Sequence, residues 1–191
     1  MLIDKFLPTY EFNEVHTIRV NASPEVVYRA IKNVTAEEIP LFGALMGLRA
    51  LPVRLTGKVM RASDDDNEPL LNYVLKSSFV LLTEAPNHEL VVGTIQKFWQ
   101  ASGGLPPERI TTTQQFMEFA ALDYGRAVLN FAIAPARSGA GCKVRTETRI
   151  HIPDPQARRK FAAYWFFIQP GSAIIRRAWL WAIKKRAERD Y

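Results

Sequence analysis

The chain has 191 residues, 48% of them apolar and 23% charged, with a net charge of +6. These proportions suit one globular domain with a sizeable core and exclude a disordered or low-complexity chain. No apolar run reaches the ~20 residues of a bilayer-spanning helix, and a single cysteine, Cys142, rules out an intramolecular disulfide and fits a cytoplasmic location.

The first eight residues, MLIDKFLP, contain no apolar h-region and no small-residue cleavage site, so no signal peptide is expected. Residues 1–14 read as an N-terminal arm on a single domain spanning 1–191. From 14 to 21 the chain alternates, with His16, Ile18 and Val20 on one face, which predicts a half-buried strand. Ser23-Pro24 then offers an N-cap hydroxyl and a proline at the first helical position, and Val26, Val27, Ala30 and Ile31 give a short amphipathic helix. Thr35-Ala-Glu-Glu38 reads as a capping box opening a second helical segment, which Pro40 breaks or kinks.

Residues 39–48 (IPLFGALMGL) carry no charge and suit a buried or interfacial element. An acidic loop follows at 63–68. Strands are predicted at 77–84, 89–99, 111–120, 126–134 and 143–152, separated by Pro86-Asn87, Gly103-Gly104 with Pro106-Pro107, Asp123-Tyr-Gly125 and Ser138-Gly-Ala-Gly141. Turns of this kind favour an antiparallel meander.

Asp154-Pro155 ends the last strand and opens a helix running to about Ala187. Phe161, Trp165, Ile168, Ser172, Ile175, Trp179 and Ala182 fall on one face of it. Pro170 lacks a donor for the Phe166 carbonyl, and a kink there would let the helix wrap a curved sheet. The basic charge is concentrated here: residues 143–191 hold 12 Lys/Arg and 4 Asp/Glu, against 13 and 15 in the remainder. A solvated helix face accounts for this; an anionic membrane surface is the sharper alternative. No RNP-like, zinc-finger or helix-turn-helix pattern is present, so no nucleic-acid partner is expected.

The order of strand, two short helices, strand meander and long C-terminal helix resembles the helix-grip fold of the START-like (SRPBCC, polyketide cyclase and lipid-transport) superfamily, with uncharacterised bacterial members the nearest in pattern. The residues carrying the resemblance are Ile18-Arg-Val-Asn-Ala-Ser-Pro-Glu-Val-Val-Tyr28, then Thr146-Glu-Thr-Arg-Ile150, Arg158-Arg-Lys-Phe161, Tyr164-Trp165 and Ile168-Gln-Pro-Gly171. The resemblance implies an α+β fold, with a seven-stranded antiparallel sheet gripping the last helix around an apolar cavity. It implies no cofactor and no shared catalytic set.

The expected function is binding of a hydrophobic small molecule, such as a lipid or an aromatic or polyketide-like metabolite. Candidate lining residues are Phe42 and Met46, Phe116, Thr146 and Thr148, and Trp165, Ile168 and Ser172; aromatics would supply area and threonines orientation. A cyclase- or dehydratase-type enzyme is the alternative, with Glu118 or His16 as acid/base group. Glu118 faces a cavity or water according to the phase of its strand, which the residues leave open. A third reading is contact with a membrane or partner through residues 39–48 and Trp179-Leu-Trp181. His88 lies in a turn, and His151 should lie on the face opposite His16. No His or Cys pair at metal-ligand spacing occurs, so no metal is expected. Cys142 has no visible base and reads as an inert thiol.

Overall fold

The computed structural model describes residues 1–39, 68–100, 104–136 and 141–190. A one-turn 3-10 helix (Leu2–Lys5) precedes strand β1 (Phe12–Val20) and helix α1 (Pro24–Asn33). Then come helix α2 (Leu70–Ser77), strands β2 (Val80–Ala85) and β3 (Glu89–Gln96), helix α3 (Thr113–Glu118), strands β4 (Gly125–Pro135) and β5 (Cys142–His151), and helix α4 (Pro155–Arg189).

Local chemistry explains the helix starts. Ser23 accepts a hydrogen bond from the Val26 amide and Asp154 from the Ala157 amide at 2.6 Å, each followed by proline at the first helical position. The helix α4 is continuous through Pro170. Asn87 sits at φ 64° in the β2–β3 turn, a left-handed conformation that asparagine tolerates.

The five strands form one open antiparallel sheet in the order β1-β5-β4-β3-β2. The last four strands are a meander, and β1 returns to pair with β5 along its whole length, Phe12 opposite Ile150 and Val20 opposite Cys142. Five strands, rather than the seven implied by the resemblance, are present among the described residues.

Two expected elements differ. The stretch predicted as a strand at 111–120 is the helix α3. Thr112 and Gln115 form a reciprocal capping box, and that side-chain chemistry outweighs the β propensity of the threonines. The second short helix expected after Thr35 does not form among the described residues. The Thr35 amide does donate to Glu38 at 3.0 Å, but residues 35–39 make only a turn. Residues 40–67, including Phe42 and Met46, lie outside the described residues. A helix absent from the expected series, α2, occupies the stretch before β2, and the Leu70 amide donates to the Val34 carbonyl at 2.8 Å.

Both faces of the sheet carry packed layers, although the outer side of β1 is exposed. On the inner face, α4 packs with two apolar clusters. One joins its C-terminal half (Trp179, Leu180, Ile183) to α1, β3, β4 and β5; the other joins Phe161 to Phe12, Ala127, Ile150 and Ile152. On the outer face, Ile3 and Leu7 of the N-terminal arm and Phe116 of α3 close over Val91, Ile95 and Val128. Gly93 permits this closeness: a Cβ there would lie 2.8 Å from the Phe116 ring and 2.7 Å from Leu82.

Candidate functional site

Alternation along antiparallel strands sends even-numbered residues of β1 and β5 to the same face. The register places His16 opposite Thr146 and Glu14 opposite Thr148. These four residues form a compact polar block on the inner face, beneath α4. Phe12 with Ile150, and Ile18 with Val144, bound it along the two strands. On the β4 side the same two rows continue as Leu129 beside Thr148 and Phe131 beside Thr146. The block therefore lies between the two apolar clusters of the inner face.

The polar contacts within it are short. Glu14 is 6% exposed. One of its carboxylate oxygens lies 2.6 Å from His16 Nε2, and the other accepts from Ser172 Oγ of α4 at 2.9 Å. Thr146 Oγ1 donates to the Asn130 carbonyl at 2.8 Å, while Thr148 is half-buried. Two further polar atoms of this face, Thr94 Oγ1 and Trp179 Nε1, are buried with no hydrogen-bond partner among the described residues. Burying such a group unmet costs on the order of 1–3 kcal/mol, so each marks a place where a partner would stabilise the protein.

Of the residues singled out from the sequence, Thr146, Thr148, Ser172 and His16 come together at the block. Trp165 stacks on Phe161 at 5.7 Å between ring centroids, in the cluster beyond Phe12, and Ile168 is half-buried on α4. Phe116 lies on the opposite face of the sheet, fully buried in the outer cluster, because its segment is a helix laid against that face. Glu118 is exposed on the same helix and accepts from Gln114 Nε2 at 2.9 Å; it faces away from the block. His151 lies on the face opposite His16 and contacts Glu11 at 3.1 Å. Cys142 is buried, its thiol donates to the Ala22 carbonyl, and burial pushes its pKa up. Among the described residues, no three His, Cys, Asp or Glu side chains converge on a metal position.

Glu14 is the site residue that the sequence reading missed. It stands two positions before His16 on a recognised strand, so the same alternation that turned His16 inward carries Glu14 with it. A carboxylate among inward positions was the available signal. Nothing in the sequence marked Thr94, and the stripe that placed Trp179 on the inner side of α4 did not mark its indole N–H as unmet.

A second polar system lies on the outer face. Glu147, 2% exposed, accepts from Arg149 Nε at 3.0 Å and Arg145 Nη1 at 2.5 Å. Asn130, fully buried, donates to Glu89 at 2.7 Å and accepts from the Glu147 amide at 2.9 Å. Glu89 also accepts from the Leu2 and Ile3 amides, tying the N-terminal arm down. Burial opposes ionisation of Glu147, but Arg149 and Arg145 outweigh it and hold the carboxyl below the usual glutamate range.

Two surface grooves lie elsewhere. One, of about 310 Å³, runs between α1 and the end of α4 past Arg29, Asn33, Arg186 and Asp190. The other, of about 210 Å³, passes Lys97, Asp123, Asp154 and Lys160 at the start of α4. Their walls are mostly charged or amide groups, unlike the mixed apolar and polar surroundings that hold a hydrophobic ligand.

No family model and no curated protein matches the chain. Among solved structures, 24 chains match. One is DR_A0006 from Deinococcus radiodurans, at 12% identity over 81% of this chain and 94% of that one, with a TM-score of 0.34. Another is TTHA0849 from Thermus thermophilus, at 9% identity over 94% and 99%, with a TM-score of 0.36. A third is the Aha1 dimer from Colwellia psychrerythraea, at 15% identity over 86% and 97%, with a TM-score of 0.32. At these values the likeness assigns neither a family nor an activity.

Proposed function

We propose that the protein binds an amphipathic small molecule between the inner face of its sheet and α4. The apolar body of the ligand packs on the flanking clusters, and its polar end meets Glu14, His16, Thr148 and Ser172. The observation that carries this reading is the inner face itself: a buried carboxylate bonded to a half-buried imidazole and a half-buried hydroxyl within apolar surroundings, with the Thr94 hydroxyl and Trp179 indole N–H unmet among the described residues. A purely structural interface gains nothing from those open valences, since an apolar filling costs less.

The test is a comparison of native and denaturing mass spectra of the freshly purified protein. The expected result is extra mass that leaves on denaturation and is lost from a Glu14→Gln/Thr148→Val variant. A clean mass for the wild type, with no chemical-shift change at Trp179 Nε1 across a panel of fatty acids, sterols and polycyclic phenols, would overturn it.

The 2.6 Å contact between His16 and Glu14 supports a second reading, in which the bound molecule is also a substrate. A carboxylate beside an imidazole fixes its orientation and tautomer for proton transfer. Turnover lost in His16→Ala, with binding retained, would establish that reading.

A further inference from the structure

The helix α4 has a second surface, on the side away from the sheet. At 3.6 residues per turn, positions 163, 166, 167, 170, 174 and 181 gather opposite Phe161, Ile168 and Ser172. Phe166 is 75% exposed there and Phe167 78%, followed by Ile174 at 49% and Trp181 at 41%. The stripe is about 27 Å long at the helical rise. Of the Trp179-Leu-Trp181 run that the sequence offered as a surface, Trp179 and Leu180 are buried and only Trp181 turns outward.

Cations border the stripe at both ends. Arg159 and Lys160 precede it, Arg177 lies within its length, and Lys184 and Lys185 follow, while residues 155–187 contain eight Lys/Arg and no Asp or Glu. The Lys185 ammonium lies 4.3 Å from the Trp181 ring centroid, so the charged and aromatic parts form one surface.

This combination selects its partner. A second copy of the chain would set cations against cations, with no carboxylate on this stretch of helix to compensate. An anionic bilayer supplies an apolar boundary layer for the rings and negative headgroups for the flanking cations at the same time.

We propose that the outer face of α4 docks on anionic lipid bilayers. Phe166 and Phe167 enter the boundary between headgroups and acyl chains, and the Lys and Arg side chains stay at the phosphate level.

Co-sedimentation with vesicles tests this, using phosphatidylcholine alone and phosphatidylcholine with one third phosphatidylserine. The full chain is expected to bind the mixed vesicles at low salt, to leave them at high salt and to ignore pure phosphatidylcholine. Phe166→Ser/Phe167→Ser should weaken the apparent affinity about tenfold or more with an unchanged unfolding midpoint, because both rings are exposed. Absence of binding at low salt would overturn the proposal, as would a double variant that binds as tightly as the wild type. A wild-type dimer in gel filtration that the double variant dissolves would also overturn it, making the stripe a self-association face.

Discussion

The two faces of the sheet bury polar groups in opposite ways. On the outer face, Glu147 has Arg145 and Arg149, Asn130 has Glu89 and the Glu147 amide, and Glu89 has two amides of the N-terminal arm. That network closes on itself and fixes where the arm docks. On the inner face, Glu14 is satisfied by His16 and Ser172, yet the Thr94 hydroxyl and the Trp179 indole N–H stay unmet among the described residues. A closed buried network specifies packing, whereas an open one in apolar surroundings offers valences to a guest. The contrast separates residues whose loss should cost stability from those whose loss should cost binding.

The largest expected effect breaks the outer face. Phe116→Ala should destabilise the fold by about 4 kcal/mol in denaturant unfolding, since a large buried ring leaves a cavity. It should leave ligand binding intact at a temperature where the variant is folded; loss of binding in the folded variant would erase the distinction between the faces. Glu147→Ala should cost about 3 kcal/mol, because Arg149 and Arg145 lose their buried counter-charge.

The pH dependence sharpens the same point. The Glu147 carboxyl titrates below the usual glutamate range in the folded protein. Its contribution is therefore complete above the unfolded-state pKa and disappears as pH falls through the folded-state value. Between about pH 5 and pH 3 the wild type should lose more stability than Glu147→Gln; equal losses would show that the outer carboxylate is not coupled to folding.

Smaller stability effects belong to the inner face. Glu14→Gln keeps the shape and an acceptor for Ser172, so it should change stability by about 1 kcal/mol or less while removing the bound mass. Thr148→Val should be nearly neutral in unfolding, within about 0.5 kcal/mol, and weaken binding several-fold. A Thr148→Val protein that unfolds much earlier than wild type would class this threonine with the closed network instead.

Period and punctuation made much of the architecture legible. The strict alternation around His16, Ile18 and Val20, and that of residues 143–152, identified the two strands that pair. Asp154-Pro155 marked the start of α4, and the stripe from Phe161 to Ala182 marked its inner side. The misreadings have local causes. At Thr112 the capping chemistry was in plain sight, but threonine's strand preference hid it. By alternation alone Asn130 falls opposite Leu129 and Phe131, and Glu147 opposite Thr146 and Thr148, on the side away from α4, and nothing local announces that the N-terminal arm folds over them. Contacts between residues 87 positions apart, such as Leu2 with Glu89, leave no periodic trace.

The pairing of β1 with β5 also bears on how the chain is made. Ile150 is synthesised 138 residues after Phe12, its partner across the ladder. At ordinary translation speeds, on the order of ten seconds separate the two. Through that interval the strand bearing Glu14 and His16 has left the ribosome without its hydrogen-bonding neighbour, whereas the β2–β3 hairpin can already close. The sheet should thus assemble from its β2 edge inward, with the ligand-facing strand β1 added last at the opposite edge, and a binding-competent inner face is among the final features the nascent protein acquires.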